Sequence, residues 1–275
     1  MPANCQTVAT EYIPAAGTYQ AAGRHLPGRQ CPCPHRPAPL SWLAGFKQET
    51  ALDALIFDFD GVVVDSEPIH FATFRRVLAS RGCELARNDY YTKYIGYDDH
   101  DAFVACFRDH GLTVEEAEVA TMTAEKTAMV KKAFAESIKP LPGAVDLIRS
   151  ATAAGISLAI CSGALKQEIT LAAEKVGVLD DFAVIVSAED VRRSKPDAEG
   201  YRLALKMLSE ATGRKIAPAK SLAIEDSPAG IEAAKTAGLK ALAVTNSYAA
   251  GALKAADRVV DSLAGLSIKT LEELL

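Results

Sequence analysis

Leu52-Asp53-Ala54-Leu55-Ile56-Phe57-Asp58-Phe59-Asp60-Gly61, residues 52–61, decide the fold. An apolar run of strand length leads into two acids and a glycine. Such a run suits a strand buried on both faces of a parallel sheet, and sheets of that kind bind ligands beyond the carboxyl ends of their strands. The expected strand covers 52–60. Strand alternation would send both carboxylates of the D-x-D to one face, unless the strand has already ended and Gly61 turns the second away. Two carboxylates that close repel each other unless a cation lies between them or one is protonated.

Downstream, a helical pattern starts near Pro68 and reaches Gly82, and the reading stays helical to about residue 139. At Pro140-Leu141-Pro142-Gly143 the chain turns and helices begin to alternate with short apolar strands. The expected strands are 156–161, 182–187, 221–225, 240–245 and 258–260. Helices are expected at 143–154, 165–176, 198–212 and 228–237, with SIKTLEELL closing the chain. This alternation predicts an α/β protein: a Rossmann-like three-layer α/β/α core with a mostly parallel sheet. The first strand is cut off from the others by the long helical stretch, so an α-helical cap domain inserted after it is the economical organisation. The expected division is a core of residues 51–65 and 140–275, a cap of 66–139, and an N-terminal extension of 1–50.

The 275 residues are 49% apolar and 24% charged, with a net charge of −5. That composition is ordinary for a globular protein and argues against wholesale binding to nucleic acid or anionic membrane. Six cysteines form no CxxC pair. Cys31-Pro-Cys33-Pro-His35 reads as incidental to a leader more readily than as a metal tract. Residues 1–48 carry Arg24, Arg29, Arg36 and Lys47 against one acid, Glu11, which suits a disordered or a targeting segment. A cytoplasmic location is expected, or a plastid or mitochondrion if the extension is a transit peptide. No apolar run is long enough to span a bilayer. A monomer is expected, with a dimer the alternative.

Four element ends carry chemistry. Asp58 and Asp60 close the first strand. Ser162-Gly163 follow the second, offering a hydroxyl and a backbone N–H beside a helix N-terminus. Lys195 precedes a helix, and Glu225-Asp226 end a later strand before Pro228. Carboxylates, one cation, one hydroxyl and a helix N-terminus suit Mg²⁺ together with a phosphate, and a carboxylate nucleophile attacking phosphorus is an established form of covalent catalysis. Each residue also has a plainer reading. The acidic pair could be solvated turn residues, Ser162 or Asp226 could cap the following helix, and Lys195 could be a surface lysine.

DFDGVVVDSE (58–67), SGA (162–164), KPDAEGY (195–201) and IEDSPAGIEAAKTAG (224–238), in that order, resemble the haloacid dehalogenase superfamily. The closer resemblance is to its β-phosphoglucomutase and CbbY-like group. It implies a Mg²⁺-dependent phosphatase of a small phosphorylated metabolite, a sugar phosphate above all, working through an aspartyl-phosphate, with a sugar phosphomutase as the alternative. Asp58 would be nucleophile and metal ligand. Asp60 would be general acid and base, with its backbone carbonyl on the metal. Ser162 and Gly163 would hold the phosphoryl group, Lys195 would balance charge, and Glu225 and Asp226 would bind Mg²⁺.

In the cap, His70, Glu67 and Lys126 are candidates for substrate contact, although a solvated lysine is the plainer reading of Lys126. The β-phosphoglucomutase pattern has an arginine after the glycine of Ile95-Gly96-Tyr97-Asp98-Asp99-His100, whereas this chain has acids. Acids there should repel a second phosphate and favour hydrolysis of a monophosphate. Hinges are expected near 65–67 and 137–142. A non-catalytic receiver-like module is a remote alternative, which Asp58 on the first strand disfavours. Walker, GxSxG and HExxH signatures are absent.

Overall fold

The computed structural model describes residues 50–95 and 97–275. The expectations for residues 1–48, the Cys31–His35 tract among them, therefore lie outside the described residues. β1 (Ala54–Phe57) is followed by the helical elements α1 (Glu67–Ala79), α2 (Arg87–Asp89), α3 (Asp99–Asp109) and α4 (Glu116–Ser137). A single wide turn of π-helix, Tyr90–Tyr94, continues α2. The alternating part follows: α5 (Ala144–Ala153), β2 (Ser157–Cys161), α6 (Lys166–Lys175), β3 (Val184–Val186), α7 (Glu199–Thr212), β4 (Ser221–Glu225), α8 (Pro228–Thr236), β5 (Lys240–Val244), β6 (Arg258–Val260) and α9 (Ile268–Glu272).

The strands form one sheet in the order β3-β2-β1-β4-β5-β6. Every adjacent pair is parallel, so the sheet is wholly rather than mostly parallel among the described residues. Strand alternation divides the packing. Leu55 and Phe57 of β1 face a core built with α5, α6 and α9. Ala54 and Ile56 face the opposite layer, packed by Tyr201, Ala204 and Leu208 of α7 and by Ala233 and Ala234 of α8. β1 is central, with β2 on one side and β4 on the other. Successive connections leave toward opposite edges from that point, and the crevice they open lies over the carboxyl ends of β1 and β4.

α1 through α4 carry an apolar core of their own, including Phe71, Phe74, Leu78, Phe103 and Met122. Phe74 and Phe103 stack at 4.4 Å between ring centroids. This is the inserted α-helical cap. α4 belongs to both units: Val119 and Met122 lie in the cap core, whereas Val130 and Phe134 lie in the core below the sheet. The two connections between cap and sheet run side by side, with Val64 bridged antiparallel to Pro140. Asp65 N donates to Lys139 O at 3.0 Å and Leu141 N to Val63 O at 2.9 Å.

β1 is shorter than expected, ending at Phe57 instead of residue 60. Past it the chain tightens into a loop in which Val63 N and Val64 N both donate to Phe59 O, bonds that compete with continuing the ladder.

Candidate active site

Asp58 follows β1 directly and Glu225 is the last residue of β4, so the parallel register brings their side chains to one edge of the sheet. Lys195 arrives from the loop before α7. Its Nζ lies 3.0 Å from Asp58 Oδ1 and 2.6 Å from Glu225 Oε1, and its side chain is only 18% exposed. The surface-lysine reading is therefore overturned.

Glu225 is fully buried and held on every side. Tyr201 Oη donates to its Oε1 at 2.6 Å, and Ser227 Oγ donates to its Oε2 at 3.1 Å. Asp226 N donates to the same Oε2 at 3.3 Å. Gly230 makes room: a Cβ there would sit 2.0 Å from the carboxylate. Asp226 is buried too, and Ser247 Oγ donates to its Oδ2. The helix-cap reading of Asp226 fails, because Ser227 caps α8 by accepting from Gly230 N at 3.0 Å. Gly61 presses against Asp226 from the other side. It has φ +73°, and a Cβ there would lie 1.9 Å from Asp226 Oδ2.

Ligand atoms of Asp58, Glu225 and Asp226 all lie within 4.8 Å of one another. Burial, and the crowding of Glu225 and Asp60, push Asp58 up to about 7 despite the pull of Lys195. Asp226 is raised well above its ordinary value by burial, then by Asp58 and Glu225. Burial works against the Lys195 charge, but the facing carboxylates of Asp58 and Glu225 outweigh it and keep the ammonium protonated. Three carboxylates thus share one ammonium. A hard divalent cation with oxygen ligands relieves that repulsion, and the donor set fits Mg²⁺.

The second acid of the motif is not in this cluster. The strand has ended and Gly61 turns the chain, so the Asp60 carboxylate faces the cap, 3.9 Å from His70 Nε2. Its Oδ1 is buried with no hydrogen-bond partner among the described residues, as is the Ser66 hydroxyl. Burial would raise Asp60, but His70 and Lys126 on the cap side outweigh it and hold the carboxyl below its ordinary value. Lys126 Nζ lies 3.0 Å from His70 Nδ1 and also donates to Asp99. An ammonium can only donate, so Nδ1 accepts and the ring proton sits on Nε2, toward Asp60. Lys126 is buried, which corrects its reading as a solvated lysine.

Ser162 is buried one residue beyond β2, next to the strand that delivers Asp58, and accepts from Ala164 N at 3.1 Å. It does not cap α6, whose N-cap residue is Leu165. Gly163 is exposed, with nothing within 4 Å of where a Cβ would stand. Glu67 neither caps α1 by a side-chain bond nor stands free, because Tyr90 Oη donates to its Oε1 at 2.6 Å. Of the two cap acids, Asp98 caps α3 by accepting from Asp101 N at 2.8 Å, and only Asp99 turns inward.

Tyr201, Asn246 and Ser247 were not singled out in the sequence. Asn246 Nδ2 donates to Gly61 O at 2.7 Å, pinning the turn after Asp60. Asn246 and Ser247 stand just past β5, at the same sheet edge as the other groups, and that placement was the signal available. Tyr201 lay inside a quoted motif, but only the folded chain shows its hydroxyl at Glu225.

Residues 55–244 match the haloacid dehalogenase-like hydrolase family. Among curated relatives, the putative phosphatase YhcW of Bacillus subtilis is 32% identical over 71% of this chain and 84% of its own length. A phosphorylated carbohydrates phosphatase of Thermotoga maritima is 28% identical over 69% of this chain and 83% of its own. CbbY from Rhodobacter sphaeroides, solved in complex with phosphate, superposes with a TM-score of 0.70 at 27% identity, covering 78% of this chain and 96% of that one. A mutant of the same CbbY has been solved with xylulose-(1,5)bisphosphate. With two-thirds of its length matched in order and the same α/β core and helical cap, this chain belongs to the haloacid dehalogenase-like hydrolase family.

Proposed function

We propose that the protein is a Mg²⁺-dependent phosphatase of a small sugar or polyol phosphate, acting through an aspartyl-phosphate on Asp58. The observation that carries this reading is the pairing of Asp58 with Lys195 at 3.0 Å inside a buried carboxylate cluster, beside an Asp60 oxygen left without a partner. The phosphatase names of the relatives from Bacillus and Thermotoga support it.

When bound by Asp58, Glu225, Asp226 and the Asp60 carbonyl, Mg²⁺ supplies positive charge against which a phosphate and a carboxylate can approach. Lys195 adds a second fixed charge on the Asp58 side, and Ser162 with Gly163 N–H orients the phosphoryl oxygens. An Asp58 oxygen attacks phosphorus as the ester P–O bond breaks, and Asp60 gives its proton to the departing alkoxide oxygen. Water then attacks phosphorus, Asp60 takes its proton, and the bond from phosphorus to Asp58 breaks to release phosphate. Without ligand, Asp60 is held ionised by His70 and its neighbours. The incoming phosphate brings negative charge close to it, which raises its pKa and suits it to the acid step.

A phosphomutase would use the same first half-reaction. Asp99 weighs against it, because the position where the mutase pattern carries a phosphate-binding arginine holds an acid committed to Lys126.

The test is phosphate release from a panel of sugar and polyol monophosphates with Mg²⁺, with and without EDTA, in the wild type and Asp58→Asn. Release that needs both Mg²⁺ and Asp58 supports the reading. Turnover in EDTA, or isomerised sugar in place of free phosphate, would overturn it.

A further inference from the structure

Asp99 has no part in the chemistry above. It is the first residue of α3, just behind Asp98, whose side chain caps the helix by accepting from Asp101 N. Asp99 itself turns inward and accepts from Lys126 Nζ. The Lys126 side chain is only 7% exposed, and its ammonium sits between Asp99 of α3 and His70 of α1, 3.0 Å from His70 Nδ1. The His70 ring is set edge-on against Phe134, with centroids 5.8 Å apart and an interplanar angle of 83°. Its Nε2 faces Asp60 Oδ1 at 3.9 Å, the same oxygen that is buried without a hydrogen-bond partner among the described residues.

The four side chains form one line, Asp99 to Lys126 to His70 to Asp60, drawn from three cap helices and the loop after β1. Each link fixes the next. A buried ammonium is costly unless a carboxylate holds it, and Asp99 is the carboxylate to which Lys126 donates. Held there, Lys126 presents a donor to Nδ1, which excludes the ring tautomer with its proton on that nitrogen and leaves the proton on Nε2. A separation of 3.9 Å is too long for a hydrogen bond and short enough for a small movement to close. A donor is thus aimed at an Asp60 oxygen that nothing else holds among the described residues. The orientation of the group that must protonate the departing alkoxide traces back to Asp99.

We propose that Asp99 is a positioning residue for the acid step: by anchoring Lys126 it sets His70 Nε2–H against Asp60 and so aims the Asp60 carboxyl at the leaving oxygen. The inference rests on the phosphatase reading and adds to it a role for α3 that needs no contact with substrate.

Esters that differ in their need for a proton test it. The alkoxides of glucose 6-phosphate and benzyl phosphate leave only with a proton, whereas the nitrophenolate of p-nitrophenyl phosphate leaves without one. Benzyl phosphate also has no hydroxyl, so it cannot respond to a lost sugar contact. With Mg²⁺ present, kcat/KM is measured for all three esters on one preparation of each variant. It reports the transfer in which the ester bond breaks, and its ratios do not depend on the fraction folded. In Asp99→Ala, both alkyl esters should lose about tenfold to a hundredfold relative to p-nitrophenyl phosphate, as a displaced acid implies. Asp99→Asn, which keeps the shape and an acceptor but not the charge, should lie between. Lys126→Met should show the same selective loss, and adding Asp99→Ala to it should bring little more.

Equal losses on all three esters, or none, would overturn the inference and leave Asp99 as a partner for Lys126 in cap folding alone. A loss on glucose 6-phosphate but not on benzyl phosphate would overturn it too, since Asp99 would then act on the sugar. So would losses that multiply in the double variant. All of these leave the phosphatase reading intact. A wild type inactive on both alkyl esters would have no acid step for Asp99 to serve, which overturns the inference. Inactivity on every sugar and polyol monophosphate of the panel would overturn the parent reading with it.

Discussion

At the scale of single residues, the site is a set of acids whose ordinary chemistry is altered by their neighbours. Tyr201 is the clearest case. Burial and the Glu225 carboxylate drive its phenol well above the ordinary range, so it remains a donor to Glu225, a carboxylate proposed to hold the metal. Removing such a supporting bond commonly weakens metal affinity by about tenfold or more. Tyr201→Phe should therefore raise the Mg²⁺ concentration for half-maximal activity about tenfold, with calorimetric Mg²⁺ binding weakened in step. Unchanged metal affinity would leave Tyr201 as packing alone. The most legible residues were those at or just past the end of a strand, such as Asp58, Ser162, Glu225 and Asp226, because a parallel sheet gathers such positions. The supporting residues were not legible. Tyr201 reaches the site from inside a helix, and the pairing of Lys126 with His70 and Asp99 joins three helices of the cap, a relation that no local pattern encodes.

At the scale of elements, α8 shows how closely the sheet edge is fitted. Gly230 lies in the first turn of that helix, its missing side chain filled by the Glu225 carboxylate. Glycine to alanine inside a helix ordinarily stabilises by about 1 kcal/mol. Here the sign should reverse, because the added methyl overlaps a fully buried carboxylate. Gly230→Ala should cost about 1–3 kcal/mol in chemical denaturation and weaken Mg²⁺ binding. A more stable variant with intact metal affinity would show that Glu225 is free to move. Strand alternation alone left open where the second acid of the D-x-D would point. The loop bonds to Phe59 O and the positive φ of Gly61 decide it, since a strand two residues longer would have sent Asp60 toward the carboxylates of Asp58, Glu225 and Asp226. The order of helices and strands after residue 143 was readable because both periodicities are plain there. Inside the cap, the π-helical turn Tyr90–Tyr94 carries no recognisable signature.

For the whole molecule, protons and the proposed metal would compete for the same oxygens. With its carboxyl at about 7 in the free site, Asp58 has a folded-state pKa above its ordinary 3.8. Its protonated form therefore stabilises the metal-free fold at low pH, and that contribution is lost as pH rises through about 7. The proposed Mg²⁺ would bind the ionised form, so its stabilising effect should grow over the same window. The rise in melting temperature on adding Mg²⁺ should be larger near about pH 8 than near about pH 6, and an equal or opposite dependence would contradict the carboxylate cluster as the metal site. α4, rooted in both apolar cores, and the paired connections at Val64 and Pro140 make cap and sheet one mechanical unit with a narrow neck. The transfer of the phosphoryl group to Asp58 is the claim on which everything else depends. It is tested most directly by acid-quenching the enzyme during turnover of a sugar monophosphate with Mg²⁺ and locating the phosphoryl adduct by peptide mass spectrometry. An adduct is expected on Asp58, absent in Asp58→Asn together with all but a trace of turnover. An adduct on another residue, or an Asp58→Asn enzyme that still releases phosphate at the wild-type rate, would contradict it.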